Sequence, residues 1–273
     1  MRRAVPLLLA ALVACGDRPS VTTPRESAAP HSYAADAAVL RVSYQGGLLP
    51  RDHLPEPPVW VLYGDGRVVM RGPEPAIYPG AALPNLRVSR VDGATVDRLA
   101  REAREAGVDG EERDYGMPTV MDAATTVVRL SDERGTVERR VYALAEGGDA
   151  GLTDAQRAAR KKLLDFVRGL TDGSLTRDDV LYEPAAIAVY AKPYQRHDDG
   201  GTEPPEQVIA WRGPDPADGT AKDAGRCTLL TGDTLAAVVA DLRKANTLTR
   251  WTYGGASWAF GLRPLLPDES GCL

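Results

Sequence analysis

"VWVLYGDGRVVMRGPEPA", from Val59 to Ala76, holds two runs of β-branched, aliphatic and aromatic residues joined through Gly64-Asp65-Gly66. An Asp-Gly pair tolerates the positive φ angles of a tight turn, so the stretch predicts a β-hairpin. The neighbouring segments build outward from it. "IYPGAALPNLRVSR" is a Pro- and Gly-rich loop leading into a short strand. "VDGATVDRLAREAREAGV" reads as a helix in which Asp92 is the N-cap, Val96, Leu99, Ala100 and Ala103 share one face, and Gly107 stops it. A second hairpin is expected over Ala124 to Leu144. In "LTDAQRAARKKLLDFVRGL", Thr153 and Gln156 have the spacing of a capping box, and Leu163, Phe166, Val167 and Leu170 form the buried stripe.

Beyond "TDGSLTRDD" the pattern begins again. "AIAVYA" (Ala186 to Ala191) and "QVIAWRGPDPA" (Gln207 to Ala217) echo the first hairpin, with Arg212-Gly213-Pro214-Asp215-Pro216-Ala217 answering Arg71-Gly72-Pro73-Glu74-Pro75-Ala76. "GATVDRLAREAREA" from Gly93 parallels "GDTLAAVVADLRKA" from Gly232, and Asp132-Glu133-Arg134-Gly135 parallels Asp268-Glu269-Ser270-Gly271. Three echoes in one order predict two tandem pseudo-symmetric repeats, residues 39–172 and 183–273. The expected class is α+β: antiparallel sheet or sheets with amphipathic helices packed on one face. The missing βαβ alternation excludes a doubly wound sheet. One shared sheet and two lobes both fit the pattern. A single α+β domain with merely compositional echoes is the alternative.

The N-terminus reads as an export signal. Arg2 and Arg3 precede the apolar run "AVPLLLAALVA", which is too short to span a bilayer permanently. The run ends at Leu12-Val13-Ala14-Cys15, which resembles the lipobox of bacterial lipoproteins. That resemblance implies cleavage of residues 1–14, diacylglyceryl attachment to Cys15, and anchoring in the membrane by about 0.8 kcal/mol per buried methylene. A plain secretory signal is the alternative. Residues 15–38 lack hydrophobic period and are rich in Pro, Ser, Thr and Ala, so they are expected to form a disordered tether reaching roughly 25 Å.

With Cys15 given to lipid, Cys227 and Cys272 remain. Outside the cytoplasm they are expected to pair as a disulfide contributing up to about 4 kcal/mol. The chain carries 33 Lys+Arg against 38 Asp+Glu, and losing Arg2 and Arg3 takes the net charge from −5 to −7. An acidic domain without a basic stripe excludes a nucleic-acid partner.

Chemistry-bearing motifs are scarce. There is no G-x-S-x-G, H-E-x-x-H or phosphate-binding glycine loop, so no catalytic residue, metal or cofactor is expected. His197-Asp198-Asp199 reads as a solvated loop tip, His53 as a loop residue, and Glu111-Glu112 as a hydrated loop after the helix. In "RWTYGGASWAFGLRPLLPDESGC" (Arg250 to Cys272), a Gly254-Gly255 turn would oppose Trp251 and Trp258 across two strands. With Tyr253 and Arg263 they form the candidate binding patch; packing beneath the helix from Leu235 to Ala245 is the competing role.

"LYGDGRVV", "YPGAALPNL" and "RPLLPDESGC" resemble segments of uncharacterised secreted or lipid-anchored proteins of high-GC Gram-positive bacteria. The resemblance implies an address and no mechanism. The expected function is a lipid-anchored, non-catalytic interaction module of the cell envelope, facing the extracytoplasmic side and meeting an envelope protein. The alternative is a small-molecule or glycan binder using the aromatic region; a hydrolase ranks last.

Overall fold

The computed structural model describes residues 33–47, 54–148, 150–175, 178–196 and 205–272. Among them the fold is α+β, with three helices and two mostly antiparallel sheets. The first sheet holds β1 (Ala38–Gln45), β2 (Trp60–Tyr63), β3 (Arg67–Arg71), β4 (Leu86–Arg90), β5 (Thr125–Asp132), β6 (Gly135–Tyr142) and β7 (Val180–Leu181), in the order β6-β5-β1-β2-β3-β4-β7.

The opening hairpin is present, with Trp60 opposite Met70 and Leu62 opposite Val68. Its turn needs glycine. Gly66 has φ 81° and donates its N–H to the Tyr63 carbonyl at 3.0 Å, and a Cβ there would lie 2.2 Å from the Val91 carbonyl oxygen. The β5–β6 hairpin also forms.

Helix α1 (Gly93–Glu105) starts at Asp92, whose carboxylate accepts from the Thr95 N–H at 2.8 Å. Helix α2 (Asp154–Thr171) carries the full Thr153/Gln156 capping box. Both lie on one face of the sheet. Val96, Leu99 and Ala103 of α1 and Leu163, Val167 and Leu170 of α2 close over Leu40, Val42, Leu62, Val128 and Leu130.

The buried stripe of α2 differs from expectation in one place. Phe166 is only partly buried, while Arg160 is 6% exposed. Its guanidinium donates to the carbonyls of Tyr115 (3.3 Å), Tyr142 (2.9 Å) and Ala143 (2.6 Å), tying α2 to the end of β6 and to the loop after α1. Arg160→Met should fill similar space yet leave those carbonyls unsatisfied, at a cost of about 3 kcal/mol. Chemical denaturation followed by circular dichroism measures this. A loss within about 0.5 kcal/mol, as for an ordinary surface site, would contradict the role.

Residues 33–37, placed in the tether by sequence, pack on this domain. Tyr33 leans on its core, and the Gly64 N–H donates to the Ala37 carbonyl at 3.0 Å. Ordered chain therefore begins earlier than composition suggested. Residues 1–32, with Cys15 and His31, lie outside the described residues.

The second sheet holds β8 (Ala186–Pro193), β9 (Val208–Ala210), β10 (Thr220–Lys222), β11 (Gly225–Thr231), β12 (Arg250–Tyr253) and β13 (Ala256–Pro264), in the order β10-β11-β8-β13-β12-β9. Helix α3 (Gly232–Lys244) covers one face through Leu235, Val238 and Leu242. Gly254 and Gly255, with φ 58° and 81°, make the two-residue turn that sets Trp251 opposite Trp258.

A tandem repeat is not shown. Helices α1 and α3 coincide with the echoed segments and are each 13 residues long. The strands do not follow. β2 and β3 are neighbours, whereas β8 and β9 are separated by β13 and β12, and β9 runs parallel to β12. Asp132 and Gly135 close a hairpin, while Asp268-Glu269-Ser270-Gly271 lies beyond the last strand.

The C-terminal segment joins the two sheets. Leu266 packs on the face of the first sheet away from its helices, with Val61, Tyr63, Val69 and Leu86. Leu265 packs on the corresponding face of the second, with Ala188, Tyr190 and Cys227. The Tyr182 hydroxyl donates to the Leu265 carbonyl at 3.0 Å, and burial, its main cause, pushes the Tyr182 pKa up to about 12. Among the described residues, no helix is long and apolar enough to cross a membrane.

Candidate functional site

The face of the first sheet opposite its helices changes character along its width. Over β2, β3 and β4 it is apolar and covered by Leu266. Over β1, β5 and β6 strand alternation turns polar residues outward, including Arg41, Ser43 and Gln45 from β1, Arg129 from β5 and Glu138 from β6. Leu54 to Pro58 stands beside this polar strip and converts it into an open cleft of about 720 Å3.

Arg71, Arg263 and Gly261 hold that wall. Arg71 donates to the Pro57 carbonyl at 2.7 Å and pairs with Glu56 at 2.5 Å. Arg263 Nε donates to the Pro55 carbonyl at 2.8 Å. Leu54 lies over Gly261, where a Cβ would sit 2.4 Å from its Cδ1. β13 thus leaves room for the wall by lacking a side chain there.

The cleft is self-neutralised. Arg129 makes two hydrogen bonds to Glu138, at 3.0 and 2.7 Å. Burial alone would raise the Glu138 carboxyl, but hydrogen bonds from Arg129 and Arg140 hold it below its usual range. At the inner end, Arg263 meets Glu269 at 2.9 Å, and Arg41 meets Asp268 and, at 3.4 Å, Glu269. The Tyr63 hydroxyl donates to Asp268 at 2.8 Å; burial first, and then this carboxylate, raise the Tyr63 phenol. Tyr44 also lines the cleft, its phenol raised by burial and by Glu146. The lining therefore offers donors and acceptors in balance, with Glu138 and Glu269 committed to arginines. That chemistry suits a ligand carrying both hydrogen-bonding senses.

The residues singled out by sequence are dispersed. Trp251 is 1% exposed, stacked on Phe260 at 5.0 Å and edge-on to Trp211 at 5.6 Å. Trp258 and Tyr253 are half-buried against the same core, and the Trp258 indole N–H is buried without a hydrogen-bond partner among the described residues. Arg263, 2% exposed, points to the other face of β13 and belongs to the cleft. The aromatic residues gather under α3; the arginine does not join them, and Trp251 presents no surface.

Cys227 and Cys272 are joined, with Cα atoms 6.1 Å apart. Glu111 pairs with Arg113 at 3.2 Å in the loop after α1. Among the described residues, no group of His, Cys, Asp and Glu is placed to hold a metal ion. His53 and His197-Asp198-Asp199 lie outside the described residues. Sequence reasoning missed the cleft, although the alternation of Arg41, Ser43 and Gln45 with Leu40 and Val42 marked a polar sheet face.

Family models, curated proteins and solved structures were compared with the chain, and none matches. The cleft must therefore be read from its own chemistry.

Proposed function

We propose that this protein is a lipid-anchored, extracytoplasmic, non-catalytic interaction module that recognises an envelope partner through the cleft over β1, β5 and β6. One observation carries the reading: a concavity lined by Arg41, Ser43, Gln45, Arg129 and Glu138 stands open while Trp251 is enclosed in the core. The lipobox at Cys15 supports the anchor, and the joined Cys227 and Cys272 agree with an oxidising compartment. A recognition surface on Trp251, Tyr253, Trp258 and Arg263 is disfavoured because Trp251 is enclosed and Arg263 faces the cleft instead.

A second reading is favoured by the size of the cleft. About 720 Å3 falls in the range of small-ligand sites, so a small polar molecule or short glycan is the alternative occupant.

The anchor is tested by fractionation. Cys15→Ala is expected to move the protein from the membrane to the soluble fraction, and retention on the membrane would refute lipid attachment. The cleft is tested by Ser43→Trp, which places a ring over the polar strip without touching either core. Partner or ligand capture should fall at least about tenfold while the unfolding midpoint stays unchanged. Undiminished capture would remove the cleft from the account.

A further inference from the structure

We propose that the Cys227–Cys272 bond is a thiol-operated latch, and that its reduction frees the tail Pro267–Cys272 and uncovers a carboxylate-binding subsite at the inner end of the cleft.

The tail divides sharply at Leu266. Leu265 and Leu266 are each 3% exposed and wedged between the sheets, whereas Asp268 and Ser270 are exposed. Beyond Leu266 the non-covalent attachments are polar. Asp268 accepts from Arg41 and Tyr63, and Glu269 accepts from Arg41, Arg263 and the Leu266 N–H at 2.9 Å. The Arg41–Asp268 pair lies near water and is screened by salt, whereas Arg263 and Glu269 are nearly enclosed, and their pair gains little net because both charges had to be desolvated to form it. The disulfide is what makes them durable: by fixing Cys272 to β11 it confines the tail, so the pairs re-form at little entropic cost.

The exchange needs a dithiol as reductant. Cys227 is 2% exposed and Cys272 only partly buried, so the incoming thiolate attacks Sγ of Cys272 and expels the Cys227 thiolate, which takes up a proton. The second thiol of the reductant then displaces Cys272 as a thiol. Two electrons and two protons pass to the protein, and the reductant leaves as its own disulfide.

What the tail uncovers is specific. Among the described residues, Arg41 then loses both of its carboxylate partners at the inner end of the cleft, and Arg263 keeps only the Pro55 and Pro264 carbonyls. Poorly solvated guanidinium groups without a counter-charge favour an incoming anion. Two adjacent carboxylates of this chain already sit there, so the chemistry selected is that of a polycarboxylate or an acidic peptide segment. Oxidised, the protein occupies this subsite with its own tail.

Tail release stands independently of the proposed function; the subsite rests on the cleft being a recognition site. The test separates them. Hydrogen exchange is followed on the purified full chain, oxidised and after dithiothreitol, and on Cys272→Ser, which cannot form the bond. Exchange over Leu266 to Gly271 should accelerate at least about tenfold in both unbonded forms, with β2 and β3 unchanged. A change below about twofold, or tail amides that in the unbonded forms exchange no faster than those of β8, β11 and β13, would overturn the latch. Citrate is then titrated by calorimetry. Binding by the reduced protein alone, lost in Arg41→Ala, supports the subsite; a freed tail with no gain in citrate binding overturns the subsite while leaving tail release intact.

Discussion

Trp251→Ala should cost about 3–5 kcal/mol of stability, the range for removing a large enclosed aromatic side chain. The indole is 1% exposed and fixed between the ring of Phe260 and the edge of Trp211, beneath Val238 and Leu242 of α3. A chain with 2 Phe and 4 Trp has few other rings for the core of its second sheet. Guanidinium denaturation monitored by circular dichroism should show the midpoint falling, with the loss traced by hydrogen exchange to β8, β12 and β13. Trp258→Ala, at a half-buried position, should cost less. If Trp251→Ala leaves the midpoint in place and weakens capture of a partner instead, the ring is a surface anchor and the account of the core is wrong.

Replacing both Cys227 and Cys272 by serine should lower stability by up to about 4 kcal/mol, because the bond closes a separation of 45 residues and restricts the unfolded chain. The loop contains β11's end, α3, β12 and β13, so much of the second sheet is held inside it. The effect belongs to global unfolding and is read from the denaturation midpoint, unlike the local release of the tail. Equal midpoints for the bonded and double-serine proteins would show that the bond contributes nothing to the fold.

Local structure was legible where one residue type answers one backbone demand. Gly66 and the Gly254-Gly255 pair announced their turns because the turns need positive φ. Asp92 and Thr153 announced helix starts because each supplies an acceptor to an orphan N–H. Arg160 was hidden, since an arginine on an amphipathic helix is expected to face water, and only the carbonyls of Tyr115, Tyr142 and Ala143 explain its burial.

The strand order of the second sheet was hidden for a different reason. Arg212-Gly213-Pro214 does resemble Arg71-Gly72-Pro73, yet Trp211 turns its indole N–H to the Pro214 carbonyl at 2.6 Å and joins the α3 core, and β9 pairs with β12 rather than β8. Similar local chemistry serves two different neighbourhoods. The cleft was least legible because its walls meet over long distances in sequence: Pro55 and Arg263, joined by one hydrogen bond, are 208 residues apart. Periodicity marks which residues face outward, but not which distant segment stands over them.

The most direct measurement is site-specific photo-crosslinking of the anchored protein on intact cells. One photoreactive residue replaces Ser43 inside the cleft, and another replaces Ala236 on the exposed side of α3. A discrete adduct formed from position 43 and not from 236, and competed away by the unlabelled protein but not by its Ser43→Trp variant, is the predicted result. An adduct from position 236 alone, or equal capture at both positions, would contradict the cleft as the surface through which this protein works.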